Sequence, residues 1–405
     1  MFYGWRVVAG AFVGMLLANG FFTYAFTILV NPIRVEFDAT LEQVMYSLTL
    51  GTLGGLLFSP IIGVMIDRYS VRHLMALGGV ITAAGLYGIS LTTSIVTFNL
   101  GFGLTMALSL GTMSSMTGSA AVSRWFTVNR GKALGIASMG TSVGGVVVPA
   151  LLTWWVELEG WRGALQYLAI LTLVAVTPMI WVLVRNRPQD LGLHPDDSPA
   201  PETPTAAEAR SVLGMPQIIR MRAFWLIGLS MGMVFAAFAP MLANLSPYAA
   251  RLGVGEAAIS TMIAVLALAG LVGKLVFGTA ADRVNLKFGL WAAHGLLIAA
   301  FSLLLLEPPY WLLLVAAVCF GLTTGGLLPV WNAMVARVFG IDSFGRAMGA
   351  MSPLITLSIL PAYAVVGRLY DSTGSFSAGL ILFGGIVVIA AALLVPLQLP
   401  EADHS

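Results

Sequence analysis

The stretch Gly63-Val64-Met65-Ile66-Asp67-Arg68 returns, 215 residues later, as Gly278-Thr279-Ala280-Ala281-Asp282-Arg283. Both copies lie at the end of a long apolar segment, so they mark equivalent points of the chain. Three further pairs of short motifs keep an offset of 214 or 215 residues: Asn31-Pro32 with Ser246-Pro247, Gly131-Lys132-Ala133 with Gly345-Arg346-Ala347, and Gly160 with Gly374. We interpret Asn31-Pro32 and Ser246-Pro247 as the ends of the first and seventh helices. Because chance matches would not share one offset, we predict that the chain contains two copies of one unit.

The composition places both copies in a lipid bilayer. Of the 405 residues, 58% are hydrophobic and 9% are charged, whereas about a quarter of a soluble domain is charged. Spanning a bilayer takes about 20 mostly apolar residues, because the backbone must satisfy its own hydrogen bonds where water is absent. Twelve segments meet this requirement: 5–30, 44–66, 73–91, 95–122, 131–156, 161–184, 223–245, 257–281, 286–306, 310–335, 345–366 and 376–395. The predicted fold is an all-α membrane protein with twelve transmembrane helices in two pseudo-symmetric six-helix bundles.

A segment rich in proline and acidic residues separates the two bundles. Residues 185–222 contain six prolines, which is typical of a flexible linker. We therefore predict an amino-terminal bundle at residues 1–185, a cytoplasmic linker at 186–219 and a carboxy-terminal bundle at 220–405. The apolar stretch after Arg6 is longer than a signal-peptide core and is expected to remain as predicted helix 1.

Composition and motifs exclude several classes of function. The net charge of +2 is small and the cations are scattered, so no nucleic-acid partner is expected. Cys319 is the single cysteine, which excludes a disulfide framework and a multi-cysteine metal site. An enzyme or a sensor would need an acid pair, a histidine cluster, a nucleophile elbow or a phosphate-binding loop, and the sequence has none of these. We expect a transporter that needs no cofactor and no metal.

The distribution of cations gives the orientation in the bilayer. If the amino end is cytoplasmic, fifteen of the 20 Lys and Arg lie on the cytoplasmic side and four on the opposite side. Positive residues concentrate in the cytoplasmic loops of membrane proteins. The pattern therefore predicts an inner-membrane protein with both termini in the cytoplasm.

The repeated motif resembles the loop signature of the major facilitator superfamily. Its first copy is Gly63-x3-Asp67-Arg68-x3-Arg72 and its second copy is Gly278-x3-Asp282-Arg283-x3-Lys287. A carboxylate at the cytoplasmic rim can accept from the amino end of a helix in the other half, where the helix dipole is positive. We expect predicted helix 11 as the partner of Asp67 and predicted helix 5 as the partner of Asp282, with Arg130 and Arg346 nearby. A solvated turn is the alternative interpretation.

Within that superfamily the chain is similar to the monocarboxylate transporters and the bacterial oxalate/formate antiporter-like group over most of its length. Tyr3-Gly4-Trp5 opens helix 1 in their manner, Trp125-Phe126-x3-Arg130-x2-Ala133-x-Gly135-x-Ala137-x2-Gly140-x3-Gly144 follows their helix 5 motif, and Lys274 takes the place of their helix 8 cation. The resemblance implies a monomeric secondary transporter of a small organic anion, such as lactate or pyruvate. Alternating access, coupling to protons and a lipid bilayer as surroundings are implied with it.

Lys274 is the one charged residue predicted well inside the hydrocarbon. It lies eight residues before Asp282, so about 12 Å deep at the rise of a helix. An isolated cation there costs about 2.5 to 3.5 kcal/mol, and no Asp or Glu is predicted in a helix interior. We therefore expect an anionic substrate as its counter-ion, in a water-filled cavity between the halves. A lysine that extends along the helix to the rim is the alternative.

Seven other polar residues lie on predicted helices 1, 4, 5 and 10, which line the cavity in the resembled family. They complete the predicted substrate-binding set: Asn19, Tyr24, Thr112, Ser115, Ser142, Thr323 and Asn332. Hydrogen bonding between helices is the alternative role for each of them.

Departures from the family narrow the expected substrate. Dicarboxylate antiporters of this group carry a second cation in helix 11, where this chain has Ile355. One cation predicts one carboxylate. The animal carriers place an acid one turn before the helix 8 cation, where this chain has Gly270, so their proton relay does not carry over whole. Lysine can lose its proton when desolvated, which would allow Lys274 itself to link proton and anion movement.

Two related functions remain open. An exporter of drugs or metabolites usually has an Arg-x-x-Gln-Gly pattern in helix 4, but this chain reads Ala107-x-x-Leu110-Gly111. The helix 5 signature of such exporters is reduced to Val148-Pro149. These departures disfavour proton-coupled export without excluding it. Exchange of one organic acid for another is the second alternative.

Overall fold

The structure, a computed structural model, describes residues 2–197 and 212–399, and this part of the chain is helical, without strands. The helices that bear on the membrane are α1 (Gly4–Glu36), α2 (Leu41–Arg68), α3 (Val71–Ser90), α4 (Ile95–Ser123), α5 (130–159), α6 (161–183), α7 (Arg222–Ala243), α8 (Glu256–Ala281), α9 (Leu286–Leu305), α10 (Tyr310–Phe339), α11 (Phe344–Thr373) and α12 (Ser377–Leu393).

Two glycines at equivalent positions separate the last two helices of each half. Gly160 (φ 69°) divides the 54-residue run Arg130–Leu183 into α5 and α6, and Gly374 (φ 65°) separates α11 from α12. Glycine adopts this left-handed conformation without the steric cost that a side chain imposes. Counted with these divisions and the 17-residue α12, the structure confirms the twelve predicted helices.

Two helix ends predicted from proline are wrong. α1 continues through Pro32 to Glu36, because a proline removes one backbone hydrogen bond while Leu29 and Ile33 on either side stay buried. The end predicted for the seventh helix at Ser246-Pro247 is also wrong, because α7 already ends at Ala243. Pro247 lies in the first turn of a separate short helix, Leu245–Arg251, where the missing N–H has no cost.

Three helices of the first half contain irregular turns. α6 winds as a π-helix from Thr172 to Val176, just before Pro178. α1 winds as a π-helix from Gly20 to Ala25. α4 is interrupted at Ser114, whose extended conformation (φ −92°, ψ −155°) divides it into Ile95–Met113 and Ser115–Ser123. Such departures from α-helical geometry leave backbone groups without their usual partners and are frequent at functional sites.

The chain divides into two compact units. The first unit contains Met1–Val212 with Ile341–Gly349, so it holds α1 to α6 and the first turns of α11. The second unit contains Leu213–Gly340 with Ala350–Ser405. Each has an aromatic core: the rings of Phe26 and Phe102 lie 4.7 Å apart in the first unit, and those of Phe301 and Phe320 lie 5.6 Å apart in the second. Many large apolar side chains on the outside stay exposed, as expected of a surface that contacts lipid.

In each half a cation at the start of the third helix holds the end of the sixth. Arg72 donates its Nε–H to the carbonyl of Trp181 (2.8 Å) and lies 3.9 Å from the centre of that indole ring. In the second unit, the Lys287 ammonium donates to the carbonyls of Val395 and Leu397 (2.9 Å each). The carbonyls at a helix carboxy terminus attract cations, so both contacts stabilise the helix ends that they join.

Candidate functional site

Lys274 lies inside the second unit, on α8. Only 3% of its surface is exposed, and it precedes the end of its helix at Ala281 by seven residues, about 10 Å at helical rise. A lysine that extended along the outer surface toward the rim would be exposed, so that alternative does not describe this side chain. The structure therefore shows Lys274 buried within protein, and its depth in the hydrocarbon stays a prediction.

The backbone around Lys274 lies directly against α10. Four glycines, two on each helix, form this contact: Gly270, Gly273, Gly321 and Gly325. A Cβ added to Gly325 would lie 2.7 Å from the backbone nitrogen of Lys274, and one added to Gly321 would lie 2.2 Å from the carbonyl oxygen of Leu266. Small residues allow helices in lipid to approach at the level of their backbones. The lysine thus projects from the closest helix contact of this unit.

In the first unit, the predicted binding residue Asn19 contacts Ser114, the chain neighbour of a second predicted residue, Ser115. The Asn19 amide donates to the hydroxyl of Ser114 (2.7 Å) and to the carbonyl of Met15 (3.1 Å). Ser114 is the residue that interrupts α4, and Ser115 follows it with a buried hydroxyl that has no hydrogen-bond partner among the described residues. The π-helical turn of α1 begins at Gly20, so this turn and the break in α4 meet at Asn19.

The remaining polar residues of the first unit are spread over its surface and its interior. Thr112 donates to the carbonyl of Leu108 (2.7 Å), and its hydroxyl lies where a Cβ on Gly78 of α3 would be 2.2 Å away. This geometry fits packing between α3 and α4. Tyr24 is 46% exposed and its ring lies against Gly145 of α5. Ser142 is partly buried on α5.

Thr323 and Asn332 lie on α10 in the second unit. The Thr323 hydroxyl is within hydrogen-bond distance of the carbonyls of Cys319 (2.9 Å) and Ala293 (3.2 Å), so it joins α10 to α9. That contact fits the interhelical alternative. Asn332 is 1% exposed, and the neighbouring Trp331 has a buried indole N–H without a partner in the described part of the chain. Trp331 was not predicted, because a tryptophan in an apolar segment gives no sign of an unused donor.

The first copy of the repeated motif contacts the start of α11 within the first unit. The Asp67 carboxylate accepts from the backbone amides of Gly345 (2.8 Å) and Arg346 (2.9 Å), and the Arg346 guanidinium lies 3.7 Å from it. This is the partner predicted for Asp67. A Cβ on Gly63 would lie 2.2 Å from the carbonyl oxygen of Gly345, so glycine is required where α2 and α11 cross. A gating role for these residues stays a prediction.

The other members of the motif have different surroundings. Arg68 and Arg283 are exposed, Gly278 is buried, and Asp282 is partly buried at the end of α8. Arg72 and Lys287 hold helix ends of their own unit, as described above. Arg130 donates its Nε–H to the carbonyl of Phe126 (3.0 Å), one turn earlier. The predicted contact of Asp282 with α5 stays a prediction.

A sequence profile of the Major Facilitator Superfamily matches residues 10–306 and 240–405. The two matches together cover nearly the whole chain. The chain belongs to the Major Facilitator Superfamily. It is therefore a multi-pass membrane transporter and not an enzyme.

Relatives of this superfamily member include carriers of two kinds. Monocarboxylate transporter 11 of Homo sapiens is 26% identical over 419 residues, which cover 98% of this chain and 84% of that protein. The Fujikurins efflux protein of Gibberella fujikuroi is 26% identical over 343 residues, covering 83% and 69%. Among solved structures, the human organic anion transporter MFSD10 superposes with a TM-score of 0.75 at 17% identity, covering 96% of this chain and 99% of that one. That likeness shows the fold.

Arg124 is a buried arginine of this superfamily member. The sequence indicated only a cation on the cytoplasmic side and did not predict its burial. Arg124 is 6% exposed and donates to the carbonyl of Ile66 (2.7 Å) and to the side-chain oxygen of Asn186 (2.5 Å). Burial lowers the pKa of Arg124 to about 10, and the nearby charge of Arg187 acts in the same direction. The group stays protonated at neutral pH and places a positive charge near Asp67.

The segment after α6 differs from the predicted flexible linker. Residues Pro188–Leu191 and Pro195–Asp197 form short 3₁₀ turns, and Met215–Arg220 forms a helix. The rest of the linker prediction, residues 198–211, lies outside the described residues. The Trp125 indole donates to the carbonyl of Arg185 (3.0 Å), and Arg187 pairs with Asp342 (2.6 Å). The proline pattern predicted flexibility because it does not reveal such docking contacts.

Asp196 fixes this segment to the loop before α5. Its carboxylate accepts from the backbone amides of Thr127 (2.6 Å), Val128 (2.7 Å) and Asn129 (3.2 Å), and also from the side chains of Thr127 and Asn129. Burial raises the pKa of Asp196, but these hydrogen bonds together outweigh it and hold the pKa below its usual value. The segment therefore acts as a cap for the start of α5, supplied from about 70 residues away.

Proposed function

We propose that the chain carries a small monocarboxylate, of the lactate or pyruvate kind, across the inner membrane by alternating access. The observation that carries this proposal is Lys274, a cation 3% exposed on α8. Its helix has no acidic residue from 257 to 281. Relatives named monocarboxylate transporters, such as the human protein at 26% identity, support it.

The charge of Lys274 sets the class of substrate. A buried ammonium attracts an anion more strongly than an exposed one does, because protein screens its charge less than water. With Ile355 at the place of a second cation, one carboxylate is matched by one ammonium. Residues 257–281 of α8 contain no other charged residue, which favours a short acid whose remaining atoms are uncharged.

The basic end of the first unit indicates which side faces the cytoplasm and which contacts close that side. We infer that this end, which contains Asp67, Arg72 and Arg124, faces the cytoplasm, as the positive-inside rule expects. The hydrogen bonds from Gly345 and Arg346 to Asp67 would hold the start of α11 while that end is closed. Opening requires those contacts to break.

Uptake by purified protein in proteoliposomes tests the role of Lys274. Lys274→Gln leaves the carboxylate of the proposed substrate without its charged partner. Removing one partner of a buried charge pair costs about 2 kcal/mol or more of binding free energy. We expect kcat/KM for labelled lactate to fall about 30-fold or more. Arg368→Gln is the matched control, because Arg368 is an exposed cation of the same unit, and its uptake should equal that of the unchanged protein. Unchanged lactate uptake by Lys274→Gln contradicts the proposal.

Lys274→Arg separates binding from proton coupling. Arginine keeps the positive charge but does not release its proton, whereas a desolvated lysine can. We propose that Lys274 moves a proton with the anion, so the arginine variant should exchange lactate but should not accumulate it when a pH gradient is applied. Accumulation driven by a pH gradient in Lys274→Arg would contradict this coupling.

Export of a metabolite is the second candidate, favoured by the similarity to the Fujikurins efflux protein. Competition between labelled lactate and unlabelled acids distinguishes a monocarboxylate carrier from a metabolite exporter. A panel of unlabelled acids should inhibit lactate uptake if the chain is a monocarboxylate carrier, with one-carboxylate acids inhibiting more than two-carboxylate acids. Faster uptake into vesicles preloaded with an unlabelled acid would instead identify the organic-acid exchanger.

A further inference from the structure

We propose that Gly325 on α10 is a positioning residue for Lys274, an inference that rests on the proposed function of that lysine. Gly325 has no side chain to contact a substrate. It acts by setting where α8 lies, and hence where the Lys274 ammonium can reach. The repeated motifs and the family resemblance point to α8 alone, so nothing in the sequence singled out this glycine.

The contact at Gly325 involves backbone atoms of α8. A Cβ at this position would lie 2.3 Å from the carbonyl oxygen of Gly270, 2.8 Å from the carbonyl carbon of Gly273 and 2.7 Å from the backbone nitrogen of Lys274. Non-bonded carbon and oxygen atoms do not approach this closely, and a backbone cannot rotate aside as a side chain can. Any residue larger than glycine must therefore push the two helices apart at Lys274.

A second glycine one turn earlier shows that the contact is continuous. A Cβ at Gly321 would lie 2.2 Å from the carbonyl oxygen of Leu266 and 2.9 Å from the backbone nitrogen of Gly270. Gly321 and Gly325 are four residues apart, so both face α8 on the same side of α10. The contact fixes both the separation of the helices and the rotation of α8 about its axis.

The consequence for binding comes from the length of lysine. The ammonium lies at the end of a four-carbon stem, so a small rotation of α8 moves it farther than it moves the backbone. A hydrogen bond between an ammonium and a carboxylate needs a donor–acceptor distance of about 2.7 to 3.2 Å and weakens steeply when its angle is poor. A shift of about 1 Å at a functional site is enough to lose most of its effect.

The test compares three glycine-to-alanine changes in proteoliposomes with lactate as the probe. Gly325→Ala should raise KM about tenfold, the effect of a misplaced charge contact, with a smaller change in kcat. Gly270→Ala adds the same methyl group to the same helix contact but meets its nearest atom at 3.4 Å, an ordinary distance. Gly295→Ala on α9 has no described atom within 4 Å. Both controls should keep KM within about twofold.

A second measurement does not need transport. Cys319 is the only cysteine, so Lys274→Cys in a Cys319→Ser background carries one thiol at the site. Gly325→Ala should change the rate at which a small methanethiosulfonate modifies that thiol by about threefold or more, while Gly270→Ala should not. Gly273→Ala, whose Cβ would lie 2.8 Å from the carbonyl oxygen of Leu322, provides a milder variant if Gly325→Ala does not fold.

The outcomes of the two proposals are distinct. If Lys274→Gln transports lactate normally, the proposed function fails, and the thiol rates still decide the position of residue 274. If Lys274→Gln is inactive while Gly325→Ala keeps both KM and the thiol rate, the positioning role of Gly325 is overturned. A raised KM with an altered thiol rate, in Gly325→Ala alone, supports it.

Discussion

Lys274 and Arg124 are both buried cations, yet only one of them was predictable. The depth of Lys274 follows from its place on a regular helix, because each residue advances the chain by a fixed rise. Arg124 is buried by Ile66 and Asn186, which belong to other segments of the chain. A sequence gives the position of a residue along its own helix, but not the loop that covers it.

Asp196 offers a prediction at the same scale. Asp196→Asn leaves one oxygen and no charge to accept five hydrogen bonds, so we expect it to destabilise the first unit by about 1 kcal/mol, as loss of a helix cap does. The melting temperature in detergent should fall by about 2 °C or more. Tryptophan fluorescence measures it. Asp371→Asn, an exposed acid on α11, should melt like the unchanged protein.

The pH dependence gives a second check on Asp196. Because the folded state lowers its pKa, the stability that it contributes is present above the unfolded value of about 3.9 and is lost as the pH falls through the folded value. The difference between the unchanged protein and Asp196→Asn should thus stay constant from pH 8 to about 5 and shrink only below about pH 4. Equal melting temperatures at pH 7 would contradict this role.

At the scale of the helices, the length of the apolar segments predicted the transmembrane helices. The two helix ends that were predicted from proline residues were wrong. The span of α1 was correct in its core, but Asn31-Pro32 was interpreted as a stop. The buried neighbours Leu29 and Ile33 stabilise more helix than one proline removes. Of the three irregular turns, those at Ser114 and at residues 20–25 of α1 lie at no proline, whereas the π-helical turn Thr172–Val176 of α6 lies just before Pro178. They depend on contacts between helices, which composition does not reveal.

The crossing of α2 with α11 supports a prediction about two glycines of one helix. Gly63→Ala would place a methyl group 2.2 Å from the carbonyl oxygen of Gly345, so we expect a loss of about 1 to 3 kcal/mol in stability. Gly55→Ala, on the same helix with no described atom within 4 Å, should be neutral or stabilising by up to about 1 kcal/mol. Thermal unfolding of both variants in detergent measures the difference.

The comparison between these glycines also separates two causes. If both variants were destabilised equally, the loss of glycine flexibility in α2 would explain the result and the crossing would not. Destabilisation confined to Gly63→Ala identifies the close approach of α11. An added loss of transport in that variant would connect the crossing to the gate.

At the scale of the whole molecule, the duplication predicted the most. The constant offset predicted two copies of one unit and placed Gly160 and Gly374 at equivalent positions, between the last two helices of each half. The candidate site was less accessible to prediction. Lys274 and the partner of Asp67 were predicted, whereas Arg124, Asp196 and Trp331 were not. Arg124 and Asp196 depend on contacts with distant segments of the chain, and Trp331 on an unused donor.

The predicted orientation is testable with single cysteines in a Cys319→Ser background. Thr93 lies in the loop between α3 and α4, and Tyr69 lies in the loop between α2 and α3; both are exposed. With cytoplasmic termini, a membrane-impermeant maleimide added to intact cells should label Thr93→Cys and spare Tyr69→Cys. Permeabilised cells should show labelling of both. The reverse pattern in intact cells would place both termini outside.

The paired contacts of Arg72 and Lys287 have a consequence for the origin of the chain. Each cation joins the third helix to the sixth within its own copy, so this contact forms in either copy without residues of the other. An ancestral protein of six helices would have had the same contact between its third and sixth helices before its gene was duplicated. If the chain is divided after Asp197 and the two fragments are coexpressed, we expect them to reassemble into an active carrier. The fragments correspond to two copies that were once separate proteins.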